Sequence, residues 1–240
     1  MKKRIINIFG LKFVDTDFKY FDKQLKKKSN FLVFPAAPAL TNIKKDKEYY
    51  ISLKTADYAL FDSGYLCILL RLFKNIKVTK FSGLKFLKFY LNFLYKNKLS
   101  LFLVDPNIDS SNKNINLLKK YKLKNFSNYV APKYKRFKVQ DKKLLKILNK
   151  KKPKNILINL GGGTQEKLGA YLKKQIKFKS NIICTGAAIS FLTGEQAAIP
   201  NLIDKLYLGW FFRIIFSPKD YFMRYFNAIA LIKLLLKNKI

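Results

Sequence analysis

The sequence predicts an α/β protein: a mostly parallel sheet with helices on both faces, followed by a C-terminal helical appendage. Short apolar runs bounded by turn residues alternate with runs whose apolar residues recur at spacings of three and four. The short runs are apolar throughout, as strands are when a parallel sheet is covered on both faces. After about residue 195 the strand-like runs stop, and 200–236 reads as helices alone.

INIFGLKFV at 6–14 reads as one strand, and DFKYFDKQLKK at 17–27 places Phe18, Phe21 and Leu25 on one helix face. FLVFP (31–35) and YALFD (58–62) read as buried strands, the second followed by a helix opening at Gly64. LKFLKFYLNFLYK (84–96) is helical, with Leu84, Leu87, Leu91 and Leu94 on one face, and LSLFLVD (99–105) is a strand. NILINLGGG (155–163) is a strand entering a glycine turn, TQEKLGAYLKKQI (164–176) its helix, and NIICTGAA (181–188) a further strand. The expected division is an α/β domain over 1–195 and a helical appendage over 196–240.

Composition narrows the chemistry. The 49 Lys and Arg against 14 Asp and Glu give a formal charge of +35. Two readings stand: an anionic partner, either nucleic acid or lipid headgroups, or a lysine-rich composition that fills solvated positions. The lysines are scattered, with no basic stripe carrying aromatic platforms, so nucleic acid is not the expected partner. A nucleotide-binding module without activity is the other alternative. There is no histidine, which removes Ser-His-Asp triads and His-ligated zinc. Any general acid or base is then Asp, Glu, Lys, Tyr or Cys. Cys67 and Cys184 lie in apolar runs and read as buried free thiols, which suits a reducing cytoplasm. The start reads as a strand rather than a signal peptide, and no stretch reaches the 18 or more apolar residues of a spanning helix.

Ligands of open α/β sheets bind at the carboxyl ends of the strands. That puts FPAAP (34–38), FDSG (61–64), LGGGTQE (160–166) and TGAA (185–188) on one rim. Asp62 ends a strand just before a helix; there it either caps the turn or takes a proton from a substrate hydroxyl. LGGGTQEK lacks the Lys-Ser/Thr ending of a P-loop and the spacing of a dinucleotide fingerprint. Its glycines still permit close backbone approach to an anion at a helix N-terminus, and Thr164 reads as the cap. DTD at 15–17 reads as a helix cap rather than a metal pair. The stretch LYLGWFFRIIFSPKDYFMRYFN (206–227) mixes aromatics with Arg213, Lys219 and Arg224. It reads as a helix packed on the sheet, as an interfacial helix, or as a diphosphate clamp built on arginine.

Five blocks occur in order: Asp62-x-Gly64, FSGLKFL (81–87), LGGGTQEK (160–167), TGAAISFLTGEQAAIP (185–200) and LGWFFRIIFSPKDYFMRYF (208–226). Together they resemble the WecG/TagA/CpsF glycosyltransferases of bacteria across nearly the whole chain. The resemblance implies a Rossmann-like core with a helical appendage that closes over the active site. It implies inverting, metal-independent transfer of a sugar from a UDP-sugar to a polyprenyl-diphosphate-linked acceptor. The sugar is an N-acetylmannosamine-type residue, its uronic acid or another hexose. The enzyme would sit peripherally on the cytoplasmic face of an anionic membrane, and members can self-associate. By this resemblance Asp62 is the catalytic base. Gly64, Gly161, Gly163, Gln165 and Gly186 belong to the substrate pocket. Arg213 and Arg224, with backbone N–H groups near 161–165, engage the nucleotide diphosphate, and Trp210 anchors the appendage. No metal ligand and no cofactor are implied. Phe34, Pro35, Ala36 and Ala37 replace a Thr-Pro-Asn-Pro found in many members, and Gly163, Ser190 and Gly209 replace a common Pro, Asp and Glu. These departures bear on the donor sugar rather than on the reaction type.

Overall fold

A computed structural model describes residues 3–27, 29–196 and 199–237. Eight strands form one sheet in the order β1-β2-β4-β3-β8-β7-β5-β6. β1 (Arg4–Ile8) and β2 (Leu11–Asp15) are an antiparallel hairpin at one edge; every other neighbouring pair is parallel. The single strand expected over 6–14 is therefore two. Phe9 (φ 58°) and Gly10 (φ 74°) both take left-handed backbone and reverse the chain. A Phe-Gly pair lacks the Asn or Asp that usually marks such a turn.

α1 (Phe18–Lys27) follows, its first turn held by Asp17 Oδ1, which accepts from the Tyr20 amide at 3.1 Å. Asp15 instead meets Arg4 at 2.8 Å, so the DTD acids serve a cap and an ion pair. β3 (Phe31–Val33) leads into α2 (Ala37–Leu40) and α3 (Lys47–Thr55). β4 (Tyr58–Leu60) leads into α4 (Gly64–Lys74) and α5 (Gly83–Lys96). β5 (Leu101–Asp105), α6 (Ile108–Lys120), β6 (Phe126–Val130) and α7 (Lys142–Lys151) complete the far edge. The chain then returns inward through β7 (Asn155–Ile158), α8 (Thr164–Gln175), β8 (Asn181–Cys184) and α9 (Ala188–Leu192).

Alternate strand residues point to opposite faces, so two cores form. One joins Phe31, Val33, Ile156, Ile158 and Ile182 to α3, α4, α7 and α8. The other joins Leu32, Leu60, Leu103, Leu157 and Ile183 to α1, α5, α6 and α9. The tail is helical throughout: α10 (Asn201–Lys205), α11 (Gly209–Phe216), α12 (Pro218–Ala228) and α13 (Ala230–Lys237). It is not detached, because Ala228, Leu231, Leu234 and Leu235 are buried in the first core. Its other side is bare: Phe211, Ile215, Phe216, Phe222, Met223 and Phe226 are all about half exposed or more. Among the described residues, no helix is long and apolar enough to cross a membrane. Both cysteines are buried and free.

Candidate active site

The sequence order of the sheet changes sides between β4 and β5, so the first four strands form one half and the last four the other. Their junction is the β3–β8 pair, tied beyond the strands by the Phe34 amide donating to the Cys184 carbonyl at 3.3 Å. The four glycine- and proline-marked segments follow β4, β3, β8 and β7, four adjacent strands, so they share one rim as expected. Ala197 and Ala198, in the TGEQAAIP stretch, lie outside the described residues.

Asp62 stands between two helix starts. Ser63 caps α4, its Oγ accepting from the Leu66 amide at 3.2 Å. The Gly83 amide, the first of α5, donates to Asp62 Oδ1 at 2.7 Å. A Cβ on Gly83 would lie 3.4 Å from that oxygen and 3.4 Å from the Phe34 ring, so glycine permits the close approach. Among the described residues no donor reaches Oδ2. Burial pushes the Asp62 carboxyl above the ordinary carboxylate range. The Gly83 N–H, Lys80 and Arg213 oppose that rise, and Asp204 adds to it. The result is a carboxylate readier to accept a proton than a solvated one.

The appendage reaches this carboxylate. The Tyr207 main chain packs so close to Gly64 that any Cβ there would overlap it. The Tyr207 hydroxyl accepts from the Lys80 amide at 3.2 Å. Lys80 and Lys85 both pair with Asp204 of α10, Lys85 at 2.8 Å. Arg213 stacks on Phe191 of α9 at 4.8 Å and on Tyr221 at 5.8 Å, and its charge acts on the Tyr225 hydroxyl. Its Nε has no acceptor among the described residues. Trp210 packs edge-on against Tyr65 of α4 at 5.0 Å and against Tyr225 at 5.6 Å, the anchoring contact expected of it.

A second cluster lies where the β7 and β8 loops meet. Gln165, 1% exposed, accepts from the Gly186 amide at 2.8 Å and donates to Glu166 Oε1 at 3.0 Å. Glu166 Oε2 accepts from the Gly163 amide at 2.6 Å. Gly163 (φ 93°) is thus the cap of α8, in place of the expected Thr164, because its amide is the one that Glu166, three residues on, reaches back to accept from. Gln165 and Glu166 brace the two loops against each other. Among the described residues no acceptor meets the amides of Gly161 and Gly162, and a Cβ on Gly161 would meet nothing within 4 Å. Burial raises the Glu166 carboxyl to about 7, against its bonds from Gln165 and Gly163 and the nearby Lys167.

The structure therefore brings Asp62, Gly64 and Arg213 together, and Gly163, Gln165 and Gly186 together. Arg224 is separate: it is exposed, stacks on Tyr221 at 5.5 Å, and is not among the charges that act on Asp62. Lys80, Asp204 and Tyr207 escaped the sequence reading. Only Lys80 carried a signal, its position immediately before the FSGLKFL block. Of Phe34, Pro35, Ala36 and Ala37, only Ala36 is exposed. Phe34 packs against Phe86 at 5.1 Å with the rings tilted, so it serves the core rather than the rim surface. A surface cleft of about 510 Å³, lined by Lys44, Lys45, Lys47 and Phe137, does not have Asp62 in its walls.

The model of the "Glycosyl transferase WecG/TagA/CpsF family" matches residues 6–240. The chain belongs to the WecG/TagA/CpsF family. It is a glycosyltransferase of cell-surface polysaccharide synthesis, and its family works with a sugar-nucleotide donor and a lipid-linked acceptor. No curated protein matches the chain. As a WecG/TagA/CpsF member it combines the mostly parallel α/β sheet with a helical piece at its C-terminus, as the sequence predicts.

Proposed function

We propose that this glycosyltransferase moves a hexose from a UDP-sugar to a polyprenyl-diphosphate-linked acceptor, inverting the anomeric centre without a metal. An N-acetylmannosamine-type sugar or its uronic acid is the favoured donor. The observation that carries the reading is one partly buried carboxylate, Asp62, with an appendage arginine, Arg213, acting on it. In this reading Asp62 Oδ2 takes the proton of the acceptor hydroxyl. The oxygen attacks the anomeric carbon from the face opposite the diphosphate, and the C–O bond to UDP breaks. Arg213 and the amides of Gly161 and Gly162 stabilise the charge that develops on UDP. Gly64 keeps the appendage close, and Gln165 holds Gly163 and Gly186 in place. Arg224, on the outer side of Tyr221, serves the approach of the diphosphate rather than the reacting bond.

The acceptor is lipid-linked, and the bare apolar side of α11 and α12 supports placement on the cytoplasmic membrane surface. The surplus of lysine adds attraction to anionic lipid, about 1 kcal/mol for each residue near the surface. Incubating the protein with a panel of UDP-sugars and polyprenyl-diphosphate sugars, with products read by mass spectrometry, tests the reading. Transfer from no UDP-sugar in the panel would overturn it.

A further inference from the structure

We propose that Asp204 is a built-in stand-in for substrate phosphate: its carboxylate holds Lys80 and Lys85 until a diphosphate displaces it. The inference rests on the diphosphate substrate proposed above and adds to it the site's resting state. Two ammonium groups from the core converge on one carboxylate from the appendage. Lys80 is 12% exposed and Asp204 13%, so this is a largely desolvated pair and not a loose surface contact. Burial acts to raise the Asp204 carboxyl, but its bonds to Lys80 and Lys85 hold it below the ordinary value.

The pair lies near the reacting carboxylate: the residue after Lys80, Phe81, donates its amide to the Phe61 carbonyl at 2.8 Å, the Gly83 amide reaches Asp62 at 2.7 Å, and the charges of Lys80 and Asp204 both act on Asp62. A diphosphate carries more charge than one carboxylate and offers oxygens to both ammonium groups, so it competes well. Displacement also disturbs little packing. Asp204 sits on α10, a five-residue helix whose Leu202 (69%) and Leu206 (57%) are already exposed. Lys80 itself stays in place, since the next residue, Phe81, is buried in the second core and its amide is bonded to the Phe61 carbonyl at 2.8 Å.

The test titrates the full chain separately with UDP and with farnesyl diphosphate, following the single tryptophan, Trp210, which packs between core and appendage. Asp204→Asn is expected to bind at least one of them fivefold or more tighter than the wild type. Lys80→Gln/Lys85→Gln should bind tenfold or more weaker. A Cβ on Gly209 would lie 4.0 Å from Lys80 Nζ and 3.2 Å from the Ile199 side-chain end, so Asp204→Asn/Gly209→Glu, with a small shift of Ile199, returns a carboxylate to Lys80 and should weaken binding back towards the wild-type value. In the wild type, ligand should also raise amide exchange over 201–206, short of the Tyr207 contact with Gly64. Tightening for UDP alone assigns the site to the donor diphosphate, and for farnesyl diphosphate alone to the acceptor's. If the wild type binds these ligands but Asp204→Asn binds them no tighter, or if exchange over 201–206 does not rise, Asp204 is a structural staple and the proposal fails. If the wild type binds neither, the diphosphate reading of the site fails with it.

Discussion

The main-chain carbonyl of Tyr207 rests against the α-carbon of Gly64, two residues beyond Asp62, with no room for a side chain between them. This contact joins appendage to core at the start of α4. Its obstacle is backbone, which cannot rotate aside as a flexible side chain would. Gly64→Ala should therefore push the appendage away while leaving both sheet cores intact. We expect kcat/KM to fall tenfold or more, with faster proteolysis within 199–237 and a nearly unchanged Tm. Wild-type activity in Gly64→Ala would show that the close approach is dispensable.

Asp62→Asn should abolish transfer while UDP binding persists. The replacement keeps an oxygen for the Gly83 amide but cannot take a proton. Because burial raises the Asp62 carboxyl, the acid limb of the wild-type kcat/KM profile should lie above the ordinary carboxylate value. Activity is lost as pH falls through that raised value. Residual turnover by Asp62→Asn above one part in a hundred would remove Asp62 as the base, given the ~10²–10⁴ that a general base contributes.

Glu166 makes stability depend on pH in the opposite sense to a salt-bridged carboxylate. Its folded value, about 7, lies above its ordinary 4.5, so the folded state holds this proton more tightly than the unfolded one. The associated stability is complete below about 4.5 and is lost as pH rises through about 7, a change on the order of 3 kcal/mol. Urea unfolding of wild type and Glu166→Gln at pH 5 and pH 8 measures it. The wild type's advantage over the variant should be larger at pH 5. An advantage independent of pH would contradict the assignment.

Gly169 faces the Phe31 ring, which a Cβ would approach to 2.5 Å, with Cys184 Sγ at 3.1 Å. All three sit in the centre of a core, where neighbours have little room to yield. Gly169→Ala should cost about 1–3 kcal/mol by overpacking, set against the modest helix-propensity gain of alanine. Chemical denaturation reads this directly, and an unchanged midpoint would mean that Phe31 can shift.

Replacing Phe211, Phe216, Phe222 and Phe226 by serine together should cut co-sedimentation with anionic vesicles at least tenfold. Each is about half exposed or more, so fold stability should change little. Turnover of a short, water-soluble acceptor should survive. Unchanged vesicle binding would exclude this side of the appendage as the membrane contact.

Much of the architecture was legible in the chain. α4, α5 and α8 begin where glycine or serine meets an apolar periodicity, and their predicted limits match the observed ones within a residue or two. The hairpin turn at Phe9 and Gly10 was not legible, because a left-handed phenylalanine has no local signature. Nor was 106–154, where Asn and Lys outnumber the apolar residues of α6 and α7 and β6 is only partly buried, so it lacks the continuous apolar run of a covered strand. Gln165 was visible as a polar residue on a first helical turn. Its burial and its bond to Gly186, 21 positions on, were not.

Local sequence determined that Asp62 closely follows a strand, that a helix opens after the glycines at 161–163, and that the tail is helical with aromatics and arginines. These depend on turn chemistry and on spacings of two to four residues, which neighbours in the chain dictate. The tertiary structure decided which charges meet. Lys80 and Asp204 are 124 positions apart, and nothing near either predicts the other. They are paired because the parallel sheet brings the end of β4 to its rim and α13 anchors the tail in the core beneath. Whether Arg213 or Arg224 faces Asp62 was settled the same way, by the turn at Ser217 that folds α12 back along α11.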